Sequence, residues 1–352
     1  MNIKRFGALA LVFLLLFLSA CGRTEEEPEP TPEPTAEPTS TQPPELPPEP
    51  ELGYYNPLTG ETVDEDISHM RPWAVQLNNI RVALPQNGIG QADIIYEMPV
   101  EGGITRMLAV FQDIRGVGEI GPVRSARSYF LDAVQGHDAI FVHAGGSPQA
   151  YADIRNRGIP NIDGVLGSGR EFYRDPERSR RAGSEHSMMT TDELLAGHSF
   201  RYEHEPGFSA GLAFLDDATP DGQPATNLTV RFSNYKTGGF AFDEASGRYY
   251  VSQHGAPMMD GAADVQLSVM NVLVLFANFR SVDGEGRLGV DLNLGGEGYF
   301  ISGGYAIPIR WEKNGFTAPF LFNHVNGHPL ELSVGNTYVN VISTTTGEFT
   351  FN

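Results

Sequence analysis

The pattern of hydrophobic and polar positions along this chain changes near residue 220. In the first half, short apolar runs with period two or with continuous hydrophobicity indicate four strands. They cover 71–79 ("RPWAVQLNN"), 92–100 ("ADIIYEMPV"), 105–114 ("TRMLAVFQDI") and 138–146 ("DAIFVHAGG"). The second and third of these runs flank "EGG" and predict a tight connection.

Between these runs, apolar residues recur at helical spacing. They predict three helices, in "VRSARSYFLDAVQGH" at 123–137, in "SPQAYADIRNRG" at 147–158 and in "SEHSMMTTDELLAGH" at 184–198. Pro122 suits the first turn of the first helix, Gly158 ends the second, and Thr190 or Thr191 caps the third. The alternation of strands and helices indicates an α/β core.

From about residue 227 the pattern consists of short strands separated by Gly, Asp and Asn turns, and Asn326-Gly327 is a strong hairpin signal. We therefore predict an α+β fold, with an N-terminal α/β domain at 53–217 and a smaller β-rich domain at 227–352. The segment "ATPDGQPAT" at 218–226 is the expected boundary.

The N-terminus has the pattern of a lipoprotein signal peptide. Lys4 and Arg5 precede an apolar run at 6–18, which is too short for a comfortable membrane span, and "LSAC" ends at Cys21. We expect 1–20 to be removed and Cys21 to be acylated, which would anchor the chain on the extracytoplasmic face of the cell membrane. An uncleaved anchor helix is the alternative. The Pro, Glu and Thr residues of 21–52 predict a disordered, extended stalk.

Composition narrows the possible functions. The net charge of −20 disfavours nucleic acid as a partner. Cys21 is the only cysteine, so its acylation leaves no thiol for catalysis, a disulfide or a metal site. Lys236 and Lys313 are the only lysines after Lys4, whereas eleven of the 21 arginines fall in 106–181. GC-rich codon usage explains arginine over lysine in general, but it explains this clustering less well.

Several motifs argue against common enzyme classes. "GVGEIG" at 116–121 matches a dinucleotide-binding pattern only weakly, since Pro122 follows it. "GGSPQ" at 145–149 lacks the nucleophile-elbow pattern of serine hydrolases. His198, His204 and Glu205 fit a solvated loop better than a metal site. The sequence thus indicates neither a metal nor a cofactor.

A set of charged residues from distant stretches is the better candidate site. Strand ends and helix N-termini converge on one edge of an α/β sheet, where ligands usually bind. The candidates for ligand binding are Arg106, Arg124, Arg127, His143 and Arg174, and the candidates for acid–base catalysis are Glu97, Glu101 and His186. On the predicted helix, Arg124 and Arg127 would share one face. The competing interpretation is that the glutamates and arginines form buried structural ion pairs.

These motifs resemble those of the YerB-like bacterial lipoproteins, a family of unknown function, over nearly all of 55–343. The resemblance is carried by "NPLTG" (56–60), "PQNGIGQADIIYE" (85–97), "EGGITRMLAVFQ" (101–112), "GPVRSAR" (121–127) and "GGSPQA" (145–150). "RWEKNGFTAPFLF" (310–322) is similar to the second domain of the family. The resemblance implies a two-domain, membrane-anchored protein without an established activity. Asn78 departs from it, because the family tends to have an acidic residue there.

Three hypotheses follow from the sequence. The first is an envelope binding or accessory protein that recognises an anionic wall polymer, or an envelope protein, through the Arg/Glu residues. The second is a hydrolase of wall polymers that uses Glu97 or Glu101 with His186. The third is a structural scaffold with a buried ion-pair core. The pattern favours a non-enzymatic role without excluding catalysis, and it does not predict the oligomeric state.

Overall fold

A computed structural model describes residues 53–198, 202–205 and 207–352. The predicted signal peptide, the acylation at Cys21 and the stalk lie outside these residues. Within the described ranges, no helix combines the length and hydrophobicity that crossing a bilayer requires.

Ten strands are described up to residue 198: β1 (Tyr54–Tyr55), β2 (Thr62–Val63), β3 (Trp73–Asn78), β4 (Ile94–Pro99), β5 (Thr105–Phe111), β6 (Glu119–Ile120), β7 (Ile140–His143), β8 (Asn161–Asp163), β9 (Tyr173–Arg174) and β10 (Met188–Thr191). The α-helices of the described ranges are α1 (Phe130–Gly136), α2 (Pro148–Arg157), α3 (Pro176–Ala182) and α4 (Asp192–Leu195). Short 3₁₀ turns lie at Arg81–Ala83, Ile89–Gln91, Glu101–Gly103, Ser184–His186 and Leu292–Leu294.

The remaining described strands are β11 (Phe214–Leu215), β12 (Gln223–Pro224), β13 (Asn227–Arg231), β14 (Thr237–Asp243), β15 (Arg248–Gln253), β16 (Ala256–Pro257), β17 (Met259–Asp260), β18 (Val265–Gln266), β19 (Ser268–Val269), β20 (Asn271–Ala277), β21 (Phe279–Ser281), β22 (Leu288–Val290), β23 (Gly296–Ser302), β24 (Tyr305–Glu312), β25 (Leu321–His324), β26 (Leu332–Ser333), β27 (Thr337–Ser343) and β28 (Glu348–Phe351). The described residues are therefore mostly sheet with few helices.

One large sheet contains strands from both parts of the chain. Its order is β12-β24-β23-β20-β27-β4-β5-β3-β7-β8, with β25 paired to β24. Strand β27 is parallel to β20 on one side and to β4 on the other, in the register Thr337↔Ile94 and Asn340↔Glu97. The ranges 53–217 and 227–352 thus share hydrogen-bonded backbone, and the boundary at 218–226 stays a prediction.

Different elements pack against the two faces of this sheet. Residues of α1 and α2 pack against one face, where Phe130 and Ile154 join Tyr96 and Leu108 of the sheet. A second sheet, β16-β15-β14-β13-β28, packs against the other face. Successive strand residues point to opposite faces, so the continuous apolar runs seen in the sequence fill both interfaces.

The predicted helix at 123–137 begins later than expected. Helix α1 starts at Phe130; residues 123–127 are not helical, and residues 128–129 form a turn. The backbone N–H groups of Val123, Arg124 and Ala126 donate to the carbonyls of Met188, Gln76 and Gly145, at 2.7, 2.7 and 2.9 Å. These tertiary hydrogen bonds replace helical ones, so Pro122 does not occupy a helix turn and Arg124 and Arg127 do not share a helix face.

Other local predictions hold in the structure. Helix α2 ends at Gly158, whose φ of 64° lies in the left-handed region that glycine adopts easily. The hydroxyl of Thr191 caps α4 by accepting from the Leu194 N–H. Helix α3 was not predicted, because its run of charged residues is typical of a loop. The helix is capped by Asp175, and Pro176 is its first residue.

Candidate functional site

The charged residues predicted from the sequence lie near one edge of the large sheet. Strands β3, β4 and β7 run in the same direction, and β5 runs antiparallel between β3 and β4. Their carboxyl ends bring Asn78 and His143 to the edge at which β5 begins. Arg106 of β5 faces Asn78 on one side and Met98 on the other. This is the edge where open α/β sheets usually bind ligands.

Glu97 of β4 turns away from the arginines and is buried. Its Oε1 lies 3.1 Å from Nζ of Lys236, and each of these side chains is only 2% exposed. Glu97 also accepts hydrogen bonds from the hydroxyl of Thr105 at 2.5 Å, from Nδ2 of Asn79 at 2.8 Å and from the hydroxyl of Tyr338 at 2.5 Å. Four donors around one carboxylate satisfy its acceptor sites, which is what a buried charge requires.

Glu101 is the carboxylate that the arginines share. It accepts from Nε of Arg127 at 2.9 Å and also from Nη2 of Arg127, and it lies 3.5 Å from Nη2 of Arg106. Partial burial alone would raise the pKa of Glu101, but the Arg127 hydrogen bonds and the charges of Arg106 and Arg127 outweigh it and lower the pKa to about 2. The sequence left open whether the glutamates form ion pairs with the arginines. In the structure Arg127 pairs with Glu101, whereas Glu97 pairs with neither Arg106 nor Arg127.

Arg106 is the most deeply placed guanidinium of the group. It is 5% exposed and donates to the carbonyl of Ser125 at 2.5 Å. Burial, together with the positive charge of Arg127, lowers the pKa of Arg106 to about 9, although Glu101 opposes the shift. Arg106 and Arg127 thus share the carboxylate of Glu101.

Arg124 lies on the more exposed side of the group. Its Nη1 donates to the carbonyl of Glu185 at 3.0 Å, and no carboxylate of the described residues forms an ion pair with it. Burial lowers the pKa of Arg124, an effect that Glu185 opposes and Arg127 reinforces. Arg106, Arg124, Arg127 and Glu101 form a group with excess positive charge, which we call the arginine cluster.

His186 lies beside Arg124 in the same surface region. Its Nδ1 is 2.8 Å from Nδ2 of Asn78, and its Nε2 is 3.7 Å from Oε1 of Glu185. The NH₂ group of Asn78 can only donate, so Nδ1 of His186 is the acceptor of this hydrogen bond. Burial and then the charge of Arg124 lower the pKa of His186, which favours the neutral imidazole. The structure thus brings His186 into contact with Asn78 and not with Glu97.

The other two predicted residues have separate surroundings. His143 is fully buried and is stacked on Phe141; its Nδ1 is 2.8 Å from the carbonyl of Gly145, and its Nε2 is 3.1 Å from Oδ1 of Asn161. Arg174 is exposed and donates to the carbonyl of Ser184, so it supports the turn that carries His186.

A cleft occurs elsewhere, at the "NPLTG" turn. It has a volume of about 600 Å³, and its lining includes Leu58, His137, Phe208 and Phe214. Among the described residues that line it there is no arginine or lysine, whereas the arginine cluster has three guanidinium groups.

The histidines considered for metal binding have different neighbours. Nδ1 of His204 is 2.9 Å from Oδ2 of Asp138, and Nε2 of His198 is 3.0 Å from Oε1 of Glu171. In the part of the chain that the structure describes, no group of three or more His, Cys, Asp or Glu side chains has the arrangement of a metal site.

The sequence did not point to the partners of Glu97. Lys236 and Tyr338 follow it by more than a hundred residues, and only the tertiary fold brings them to it. One signal was available: Lys236 is one of two lysines after the N-terminus of an arginine-rich chain. Both are buried, and Lys313 donates to the carbonyls of Gly315, Phe316 and Ala318 at 2.8, 2.9 and 2.8 Å.

Comparisons with known proteins agree on one family. Residues 58–202 match the N-terminal domain of "Protein of unknown function (DUF3048)", and residues 228–339 match its C-terminal domain. The chain is 30% identical over 297 residues to "Putative lipoprotein YerB" of Bacillus subtilis (strain 168), covering 81% of this chain and 85% of that protein. The crystal structure of YerB from Bacillus subtilis superposes with a TM-score of 0.72 at 26% identity, covering 84% of this chain and 99% of that one.

Proposed function

Because the chain belongs to the DUF3048 family and is related to a lipoprotein, we propose that it is a membrane-anchored protein of the cell envelope that binds an anionic ligand at the arginine cluster. Acylated Cys21 would be the anchor, and the stalk would hold the folded part away from the membrane. The proposed ligand carries phosphate or carboxylate groups, as anionic wall polymers do.

One observation carries this proposal: Arg106 and Arg127 share a single carboxylate, Glu101, and the guanidinium of Arg124 lies near them without an ion pair among the described residues. A buried charge without a counter-charge is costly to desolvate, so a group of arginines with one carboxylate has room for a further anion. Arg124 donates to a carbonyl instead and is partly exposed, so an incoming anion can reach it. A guanidinium fork matches the oxygens of phosphate and carboxylate, and hydrogen bonds between such charged groups are strong.

The contacts favour binding over hydrolysis. General acid–base catalysis needs a carboxyl or imidazole group that reaches the substrate. Glu97 is enclosed by four donors, and Glu101 is held in its ionised form by Arg127. His186 is the catalytic candidate nearest to Arg124, and it is available as a neutral hydrogen-bonding group beside a bound anion.

The test compares two variants of the full-length chain in binding to purified teichoic acid and peptidoglycan. Arg124→Gln removes the partly exposed cation and should weaken binding to the anionic polymer by about tenfold or more, in line with the strength of charge-assisted hydrogen bonds. Arg155→Gln makes the same change at an exposed position of α2 and should leave binding as in the wild type. Equal binding by both variants and the wild type would rule out the arginine cluster as the ligand site.

The scaffold alternative makes a different prediction at Arg127. If the cluster only holds the fold together, Arg127→Gln destabilises the protein while Arg124→Gln leaves both stability and binding unchanged. Urea unfolding of the two variants, measured beside the binding assay, separates the two functions.

A further inference from the structure

A second cleft lies between the two parts of the chain, and the proposed anion site does not include it. Its volume is about 430 Å³, which is within the usual range for small-molecule sites. One wall comes from the segment 81–86 and the other from the segment 253–264. Gln86, Gln253 and His254 line it, and each has a buried atom without a hydrogen-bond partner among the described residues: Oε1 of Gln86, Nε2 of Gln253 and Nε2 of His254.

The orientation of the Gln86 amide is fixed by its partners. Its Nε2 donates to the carbonyl of Asn78 at 3.0 Å and to Oδ1 of Asn79 at 2.9 Å. A backbone carbonyl can only accept, so the NH₂ group must point toward Asn78. Gln86 is fully buried, and its Oε1 is left as an acceptor.

The orientation of Gln253 is fixed in the opposite sense. Its Oε1 accepts from Nζ of Lys236, and an ammonium group can only donate. Gln253 is 4% exposed, and its Nε2 is left as a donor. Two residues that line the cleft therefore carry one buried acceptor and one buried donor that have no partner among the described residues. Buried polar atoms are rarely left in this state without a reason.

A continuous series of contacts between buried side chains holds the amides of Gln86 and Gln253. Asn79 accepts from Gln86 and donates to Glu97 at 2.8 Å, Glu97 pairs with Lys236, and Lys236 donates to Gln253. Each link joins a donor to an acceptor, so neither amide can flip without breaking a link to its neighbour. The Glu97–Lys236 pair thus positions the donor and the acceptor of the cleft.

We propose that this cleft binds a peptide and recognises one of its secondary amide groups. The amide N–H would donate to Oε1 of Gln86, and the amide carbonyl would accept from Nε2 of Gln253. His254, whose Nε2 is the third atom without a partner among the described residues, would add a further polar contact. Sites of this kind combine a few fixed polar groups with apolar walls.

The walls favour a peptide over an N-acetyl sugar. The lining contains the charged residues Arg81 and Asp264, and its apolar members include Leu84, Pro85, Pro257, Met258 and Met259. The apolar members suit an aliphatic side chain, and methionines adapt to its shape. Strand β16 borders the cleft and is the terminal strand of its sheet in the described residues. Exposed sheet edges are common docking places for extended peptides.

The first experiment uses the unmodified full-length chain and the probe N-acetyl-L-leucine N-methylamide, followed by NMR. We expect saturable shifts of the side-chain NH₂ signals of Gln86 and Gln253 and of the backbone N–H of Gly261. Shifts confined to other parts of the protein, or none at millimolar probe, would overturn the proposal. N-acetylglucosamine is the second arm, and shifts of the same signals by the sugar alone would refute the assignment to a peptide.

The second experiment replaces the donor. Gln253→Glu keeps an oxygen for Lys236 but removes Nε2, so the affinity for the leucine probe should fall about tenfold or more. Gln149→Glu adds the same charge at an exposed position of α2 and should bind as the wild type. Equal affinity of the two variants would overturn the role of Gln253. Binding of teichoic acid should not change in Gln253→Glu, so failure of this inference and failure of the anion proposal are distinguishable.

Discussion

Nζ of Lys236 lies 3.1 Å from Oε1 of Glu97, and the two residues belong to different domains of the family. Glu97 is on β4, and Lys236 directly precedes β14. The two parts of the chain are therefore joined by a buried ion pair as well as by a shared sheet. Each charge depends on the other, because desolvated ions without a partner are strongly destabilising.

Replacement of Lys236 by methionine should destabilise the protein severely. The substitution leaves the Glu97 carboxylate buried with three neutral donors and no counter-charge, and breaking a buried pair in this way costs about 3–5 kcal/mol. The free energy of unfolding, obtained from urea titrations, measures this loss. Arg231→Met removes the exposed ion pair with Glu348 and should cost less than about 1 kcal/mol. Similar losses for both variants would contradict the importance of the buried pair.

Replacement of Tyr338 by phenylalanine tests the same network with a smaller change. The lost hydroxyl donates to Glu97 at 2.5 Å, so the variant should lose about 1–3 kcal/mol of unfolding free energy. Because Tyr338 and Lys236 share this carboxylate, the double variant with Lys236→Met should not show the sum of the single effects. Strict additivity in the double-mutant cycle would mean that the two contacts act independently.

The Glu101 carboxylate should make stability depend on acid pH. Its pKa is about 2 in the folded protein, against an ordinary value of 4.5 for the unfolded chain. The contribution of Glu101 to the free energy of unfolding is therefore complete above pH 4.5 and is lost as the pH falls toward 2. Glu101→Gln should therefore be less stable than the wild type at pH 6, and the difference should shrink at pH 3. Urea unfolding at both values measures it, with Glu348→Gln as the exposed control. A constant difference would disprove the linkage.

The pKa of His186 should rise when the charges around it change. Asn78→Asp places a carboxylate where Nδ2 now donates to His186 from 2.8 Å, and Arg124→Gln removes a nearby cation. Both substitutions favour the imidazolium form. NMR titration of the His186 ring protons measures the pKa directly, and Arg155→Gln is the control. An unchanged pKa in both variants would show that His186 does not sense this region.

Sequence patterns predicted the strands better than the helices, for a physical reason. Strand β3 was predicted from its period-two apolar residues, and β4 and β5 from apolar runs on either side of "EGG", patterns that hold whatever their neighbours are. The helix expected from residue 123 failed over its first seven residues. There, backbone hydrogen bonds to Gln76, Gly145 and Met188 override local periodicity, and periodicity carries no information about these distant partners.

The candidate site was predicted only in part for the same reason. Glu101, Arg106 and Arg127 do converge, as the sheet-edge argument suggested. Glu97 does not join them: it and Glu101 stand four residues apart, but one lies within β4 and the other in the turn that follows. Which carboxylate an arginine reaches depends on side-chain direction and depth. Those are set by packing against β14 and β27, strands whose positions could not be derived from local sequence.

The place of β27 also bears on how the chain is made. This strand is close to the C-terminus, yet it fills the position between β20 and β4 in the sheet. During synthesis, more than 200 residues separate the completion of β4 from that of β27, roughly 10 to 50 seconds at about 5–20 residues per second. If the sheet forms without β27, β4 presents a bare edge, the kind of surface on which incomplete chains aggregate. Completion of the sheet therefore has to wait for the last part of the chain, and a product truncated before residue 337 would keep that edge open.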